Sequence, residues 1–296
     1  MTGMVLRPLS VGEVLDRAFQ VYRRSFASMY LVALIGALPL GVLMVVVARG
    51  GGQQADPAAS IGYLLLLLPV VLVSTLLAWG ALAELVDRSV KGEQAAIGAG
   101  LARGLRAFLP LLGALLVVGF FCGALSFPFG IAFGILGVVA GTGQTMSAGG
   151  AIALFAVMFA MMVVIGLVWI SLGFFLTPVI VVERKGPIAA VGRSFQLGKG
   201  GRWRVVGIAV IAALIGFLPG LTVDIVPFIL SAMRGHGAPG LLDASGFNLY
   251  LVIKVAVSAL TTPFTAGCMM MAYYDRRVRL EGLDVELASA ALEPTS

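Results

Sequence analysis

Charge is the scarcest commodity in this sequence. Asp, Glu, Lys and Arg make up only 11% of its 296 residues, against about 25% in soluble domains. Residues 107–182 contain none of the four. With 60% hydrophobic residues and a mean hydropathy of +1.05, a water-soluble fold would expose apolar patches that soluble monomers avoid. Cysteine and histidine are nearly absent too. Two cysteines and one histidine make no metal-ligand cluster. Cys122 follows Arg106 by 16 residues and Cys268 precedes Asp275 by 7. Their depths then differ by roughly 13 Å at 1.5 Å per residue. A disulfide needs Cα atoms within about 7 Å, so both read as small packing residues. No GxxxxGK[ST] phosphate loop occurs. The first 25 residues carry Arg7, Glu13, Asp16, Arg17, Arg23 and Arg24, so no apolar signal-peptide core is apparent. The net charge is +6, yet no polar domain exists to present a basic face, which excludes nucleic acid as the partner. No cofactor is called for.

What is present is long apolar runs. Six stand out, at about 26–48, 60–83, 107–140, 150–182, 205–223 and 247–274. Each is long enough to cross a hydrocarbon core of about 30 Å. The sequence therefore predicts an all-α integral membrane protein, a single polytopic domain over 1–296. Pro128 interrupts the third run, where a bend or tilt is expected. The cations alternate with the runs. Arg7, Arg17, Arg23 and Arg24 precede the first. Arg88, Lys91, Arg103 and Arg106 fall in 84–106, and Arg184, Lys185, Arg193, Lys199, Arg202 and Arg204 in 183–204. Arg276, Arg277 and Arg279 open the tail, 275–296. Only Arg49 and Arg234 lie opposite, with Lys254 left over. Positive residues stay inside, which predicts a multi-pass protein of the cell membrane with both termini cytoplasmic. Sixteen Arg against four Lys fits a G+C-rich bacterial genome.

The pattern repeats three times. A short amphipathic segment precedes the first, third and fifth runs. In 1–25, Ser10-Val-Gly-Glu13 has the form of a capping box, and Val11, Val14, Leu15, Ala18 and Tyr22 share a face. The second lies near 94–106, with Ile97, Leu101 and Leu105. The third is 188–204, with Ile188, Val191 and Phe195. Such helices lie in the interface with apolar faces toward acyl chains. The exits also match: Asp87-Arg88, Glu183-Arg184 and Asp275-Arg276, followed by Gly92, Gly186 and Gly282. Ala33–Pro39 resembles Ala213–Pro219, and Thr177-Pro178 resembles Thr262-Pro263. The expectation is six transmembrane helices as three hairpins, each preceded by an interfacial helix.

Candidate binding residues sit on the basic rim. Arg17, Arg23, Arg24, Arg103, Arg106, Arg193, Lys199, Arg202, Trp203 and Arg204 form a candidate interface for anionic headgroups, at about 1 kcal/mol per cation near the surface. Asp224 lies 20 residues past Arg204 and Lys254 lies 21 before Asp275. Both are then about 30 Å from the basic rim, a candidate outer-side ion pair. Glu84 and Arg88 form an ordinary i,i+4 pair. His236 reads as a solvated loop residue, and Met269–Met271 as packing or lipid-facing. Gly119, Gly123, Gly130, Gly134, Gly137 and Gly141 read as a packing stripe, within the chain or between copies.

Three patches resemble a known family. Leu6–Phe26, Pro178–Glu183 followed by Arg193–Lys199 and Trp203-Arg204, and Tyr273–Asp284 are similar to the opening, centre and ending of the glycerophosphoryl diester phosphodiesterase membrane-domain family. The resemblance implies a helical membrane module that elsewhere precedes a catalytic barrel. The chain stops at Ser296 without that barrel, so no phosphodiesterase residue carries over. The functional expectation is a non-catalytic scaffold or accessory subunit, with a protein partner at the cytoplasmic face docked through Leu280, Leu283 and Leu287. The alternative is a small-solute or lipid transporter, favoured by a wide cavity lined by Thr177, Ser258 and Thr262. Oligomeric state is not encoded in any feature of the sequence.

Overall fold

The computed structural model describes residues 7–50, 57–141, 148–233 and 244–282. His236, Arg234, Leu283 and Leu287 lie outside the described residues, and the side chain of Arg49 is not described. Nine helices run through the described residues: α1 (Val11–Arg24), α2 (Phe26–Gly50), α3 (Pro57–Lys91), α4 (Ile97–Gly141), α5 (Ala148–Gly173), α6 (Leu176–Val182), α7 (Pro187–Gly198), α8 (Arg202–Met233) and α9 (Ala244–Glu281). Six of them, α2, α3, α4, α5, α8 and α9, are long and apolar enough to cross a membrane. Three apolar runs are extended at their basic ends, because α3 continues to Lys91, α4 begins at Ile97 and α9 reaches Glu281.

Local chemistry sets several boundaries. Ser10 and Glu13 form the reciprocal box at the start of α1. Glu13 N–H donates to Ser10 Oγ at 3.2 Å and Ser10 N–H to Glu13 Oε2 at 2.7 Å, satisfying two otherwise orphaned donors. Pro187 opens α7, where its missing N–H costs nothing. The apolar run 150–182 is not one helix: α5 ends at Gly173 and α6 starts at Leu176. The break is tolerated because Phe175 N–H donates to Ser194 Oγ of α7 at 3.3 Å, and non-helical backbone at depth must find such partners. Thr177-Pro178 thus follows a break, whereas Thr262-Pro263 lies inside the unbroken α9.

The segment near 94–106 also departs from expectation. It is not a separate helix, for α4 runs unbroken from Ile97 into the span. In α1, Val14, Ala18 and Val21 are buried, but against protein rather than acyl chains. The face closes on α9, where Ala18 lies so near Gly267 that a Cβ there would sit 3.5 Å from it. Tyr22 OH donates to Leu260 O at 3.0 Å. In α7, Ile188 and Phe195 do point outward, while Ala190, Ser194 and Leu197 are buried.

Packing is concentrated at the basic end. Ala81–Val86, Val179–Val181 and Ala266–Tyr274 supply much of the core, Met269–Met271 and Cys268 included. Cys122 and Cys268 are both free thiols. In the span of α5 nothing is buried, and Phe155, Phe159 and Met162 are exposed, a surface that hydrocarbon solvates. Helices α2 and α3, α3 and α4, and α8 and α9 pack most extensively, with α4 on α5 less so. Within the chain, close approach is made by glycines other than the described part of the predicted stripe, Gly137 and Gly141 lying outside the described side chains. Gly119, Gly123, Gly130 and Gly134 have nothing of the described chain within reach of an added Cβ. At Gly104 a Cβ would meet Leu77 O of α3 at 2.5 Å, and at Gly80 it would meet Gly104 Cα at 3.0 Å. Spacing places glycines on a face; it does not say what stands opposite.

Substitution Gly104→Ala is therefore expected to destabilise the protein by about 1–3 kcal/mol, the usual range for overpacking. Gly123→Ala is expected to leave it unchanged or slightly stabilised, since Ala is the better helix former. Thermal unfolding in mild detergent, followed by size-exclusion recovery, separates the two.

Candidate functional site

Four consecutive residues near the end of α9, Tyr273, Tyr274, Asp275 and Arg276, are polar and all buried, exposed by 0%, 5%, 1% and 5%. Successive helical residues point about 100° apart, so the four look in all directions around the axis. They are buried because protein surrounds this turn of α9, and each fastens a different segment.

Tyr273 OH donates to Glu183 Oε1 at 3.0 Å, at the C-terminal cap of α6. Glu183 also meets Arg193 Nε at 3.0 Å and Lys185 Nζ at 3.2 Å. Tyr274 OH donates to Asp87 of α3, which also receives Lys91 Nζ at 2.6 Å. Asp275 Oδ1 accepts from Leu9 N–H at 2.7 Å and from Arg279 Nε at 2.9 Å. Its Oδ2 lies 3.3 Å from Arg204 Nη2. Leu9 O in turn accepts from Arg204 and Arg279. Arg276 Nε donates to Leu197 O at 2.7 Å, and Nη2 to Lys199 O at 2.5 Å, meeting carbonyls that the end of α7 leaves unpaired. The acids of all three matched exits, Asp87, Glu183 and Asp275, converge on this one turn.

The predicted interface cations divide into two groups. Arg103, Arg193 and Arg204 bind within the protein. Arg103 Nε donates to Val181 O at 3.1 Å, serving the end of α6 as Arg276 serves α7. Arg193 joins Glu183 to Glu281, and Arg204 joins Asp275 to Leu9. Arg23, Arg24, Arg106, Lys199, Arg202 and Trp203 are exposed, and Arg17 is half-buried. The Arg202 guanidinium lies 4.5 Å from the Phe195 ring centroid. Glu84 and Arg88 pair at 2.8 Å. Sequence reasoning missed Tyr273 and Tyr274 as anchors. The signal was a run of four polar or amphipathic residues in a helix, which leaves no side free to face lipid. The matched glycines do not repeat one conformation: Gly92 and Gly282 have positive φ, but in the second unit it is Arg184, at φ 55°, that turns the chain.

At the other end of α8 and α9, Lys254 Nζ lies 2.5 Å from Asp224 Oδ1, which also accepts from Tyr250 OH at 2.6 Å. The pair stands at the mouth of a cavity of 390 Å³ between α8, α9 and Trp79 of α3, lined also by Ser258, Thr261, Thr262 and Thr265. Thr177 does not line it.

Burial pushes the Glu183 carboxyl up, but hydrogen bonds from Arg193, Lys185 and Tyr273 outweigh it and hold it below the ordinary carboxylate range. A carboxyl lowered on folding stabilises the protein above its unfolded pKa, and that stability disappears as pH falls through the folded value.

Two outcomes follow. Asp275→Ala leaves the buried Leu9 N–H without its acceptor and Arg204 without its counter-ion, though still bonded to Leu9 O, and is expected to cost about 1–3 kcal/mol, as an unsatisfied buried donor does, read as lost thermal stability in detergent. Glu183→Gln is expected to flatten the acid limb of a stability–pH curve, bringing variant and wild type together at low pH and separating them near neutrality. Parallel curves would remove Glu183 from the acid response.

A model of the family described as "Domain of unknown function (DUF7847)" matches residues 2–276. No curated protein and no solved structure matches the chain. None of these findings links it to a glycerophosphoryl diester phosphodiesterase membrane module.

Proposed function

The chain belongs to the DUF7847 family, and from that membership and its geometry we propose that it is a non-catalytic scaffold or accessory subunit of the cell membrane. Its six long helices make three hairpins, α2–α3, α4–α5 and α8–α9, with α1, the first turns of α4, and α7 as amphipathic lead-ins at the interface. Both termini are cytoplasmic on this reading, because the cations gather at one end of the alternating spans. The likeness to stand-alone phosphodiesterase membrane modules belongs to the same proposal.

The observation that carries it is the turn Tyr273–Arg276. It ties the ends of α3, α6, α7 and α8 and the arm before α1 to one helix. Alternating access rocks one bundle against another; a shared hub opposes such motion and suits a fixed platform. Outward cations at this end, Arg23, Arg106 and Arg202 among them, attract anionic headgroups. Leu280, half exposed beyond the hub, begins the surface offered to a soluble partner. The transporter reading draws on a different feature, the cavity containing Ser258 and Thr262.

The test compares the full chain with one ending after Gly282, which retains Glu281 and hence its bridge to Arg193. After crosslinking in intact cells and mild-detergent purification, a partner is expected with the full chain and lost, several-fold or more, with the shortened one. Unchanged recovery removes the tail as the docking element. Solute flux in reconstituted vesicles would favour the transporter.

A further inference from the structure

The cavity between α8 and α9 has a charged mouth and a wall unlike it. Thr262 Oγ1 donates to Ser258 O at 2.7 Å, and Thr261 and Thr265 donate to carbonyls three and four residues earlier, each at 3.3 Å. Their protons are spent on the helix itself, so these hydroxyls can face hydrocarbon without leaving a donor unpaired. Across from them on α8 lie Ala213 and Gly220, which leave room, Gly216, which lets α8 close on Thr265 at the inner end, and Phe217, 61% exposed, which supplies an apolar rim. The wall is thus suited to an acyl chain. The mouth is suited to a headgroup. Asp224 and Lys254 are one carboxylate and one ammonium 2.5 Å apart, roughly 30 Å along α8 from Arg204 at 1.5 Å per residue, which is the thickness of a hydrocarbon core.

We propose that this cavity holds one zwitterionic phospholipid bearing a primary ammonium, with its phosphate on Lys254, its ammonium on Asp224, and a chain along the threonine wall. Charge balance selects the head. The mouth is net neutral, so an anionic lipid would bring an unmatched charge into a low-dielectric site, whereas a zwitterion exchanges one ion pair for two. Hydrogen bonding selects the amine. A carboxylate offers about four lone-pair directions, and Tyr250 and Lys254 share Oδ1; a primary ammonium has N–H groups for Oδ2, and a quaternary one has none. The inference is independent of the scaffold reading, since the Asp224–Lys254 pair that selects the headgroup lies at the end of the helices opposite Tyr273–Arg276.

Native mass spectrometry of the detergent-purified protein, titrated with phosphatidylethanolamine, phosphatidylcholine or phosphatidylglycerol of matched chains, tests it. One phosphatidylethanolamine is expected to bind at least tenfold tighter than either other lipid. The double variant Asp224→Asn with Lys254→Met is expected to erase that preference. Thr262→Val, which keeps the pair and nearly the same volume, is expected to retain the preference and to elute as a folded single species. Equal retention of the three lipids, or a preference that survives the double variant, overturns the proposal. Displacement by free phosphoethanolamine at the same concentration would assign the site to a soluble zwitterion and overturn the lipid. Loss of the tail's partner leaves every one of these outcomes unaltered.

Discussion

A carboxylate exposed by 1% has to be met by donors from somewhere, and Asp275 draws them from the whole length of the chain. Its partners are the N–H of Leu9, the guanidinium of Arg204 and that of Arg279. Burying an ion is costly enough that such an arrangement survives only when opposite charge and hydrogen bonds meet it: Oδ1 accepts two hydrogen bonds, while Oδ2 has the Arg204 charge beside it and no hydrogen bond. That condition fixes the arm before α1, the first turn of α8 and the end of α9 against one another. Tyr273, Tyr274 and Arg276 then extend the same demand to α6, α3 and α7.

The protein is consequently built with two different solvents in mind. At the basic end, side chains interlock around polar anchors. Further along, α4 and α5 present Phe120, Phe121, Phe155 and Phe159 outward, and lipid completes what the polypeptide leaves uncovered. Between spanning helices no hydrophobic drive operates, so cohesion rests on close contact and hydrogen bonds. Gly80 and Gly104 supply the first, and the anchors of α9 the second.

Much of this was legible residue by residue. Apolar length named all six long helices, because hydrocarbon thickness is a one-dimensional constraint. Ser10 and Glu13 announced the start of α1, because a capping box is local. The common depth of Asp224 and Lys254 was readable from helix rise; that they face each other was not. What the sequence concealed was what stands across from each face. Ala18 and Val14 look equally ready for acyl chains or for α9, and only the presence of α9 across from them, with Gly267 against Ala18, decides it. The break at 173–175 depends on Ser194, nineteen residues on, accepting the N–H of Phe175. Arg103, Arg193 and Arg204 looked like surface cations because nothing in their neighbourhood of the chain reveals the carbonyls and carboxylates they reach.

The bond from Leu9 to Asp275 spans 266 residues. A ribosome adding about 5–20 residues per second needs roughly 13–53 seconds to cover that interval. During all of it the first helix has been made and its permanent seat has not. The newborn arm before α1 must wait, provisionally housed by lipid or by the insertion machinery, until α9 emerges to receive it. The seating of this arm therefore waits for α9, and a chain cut short anywhere between α1 and residue 275 would carry its own mark of incompleteness: an arm left loose.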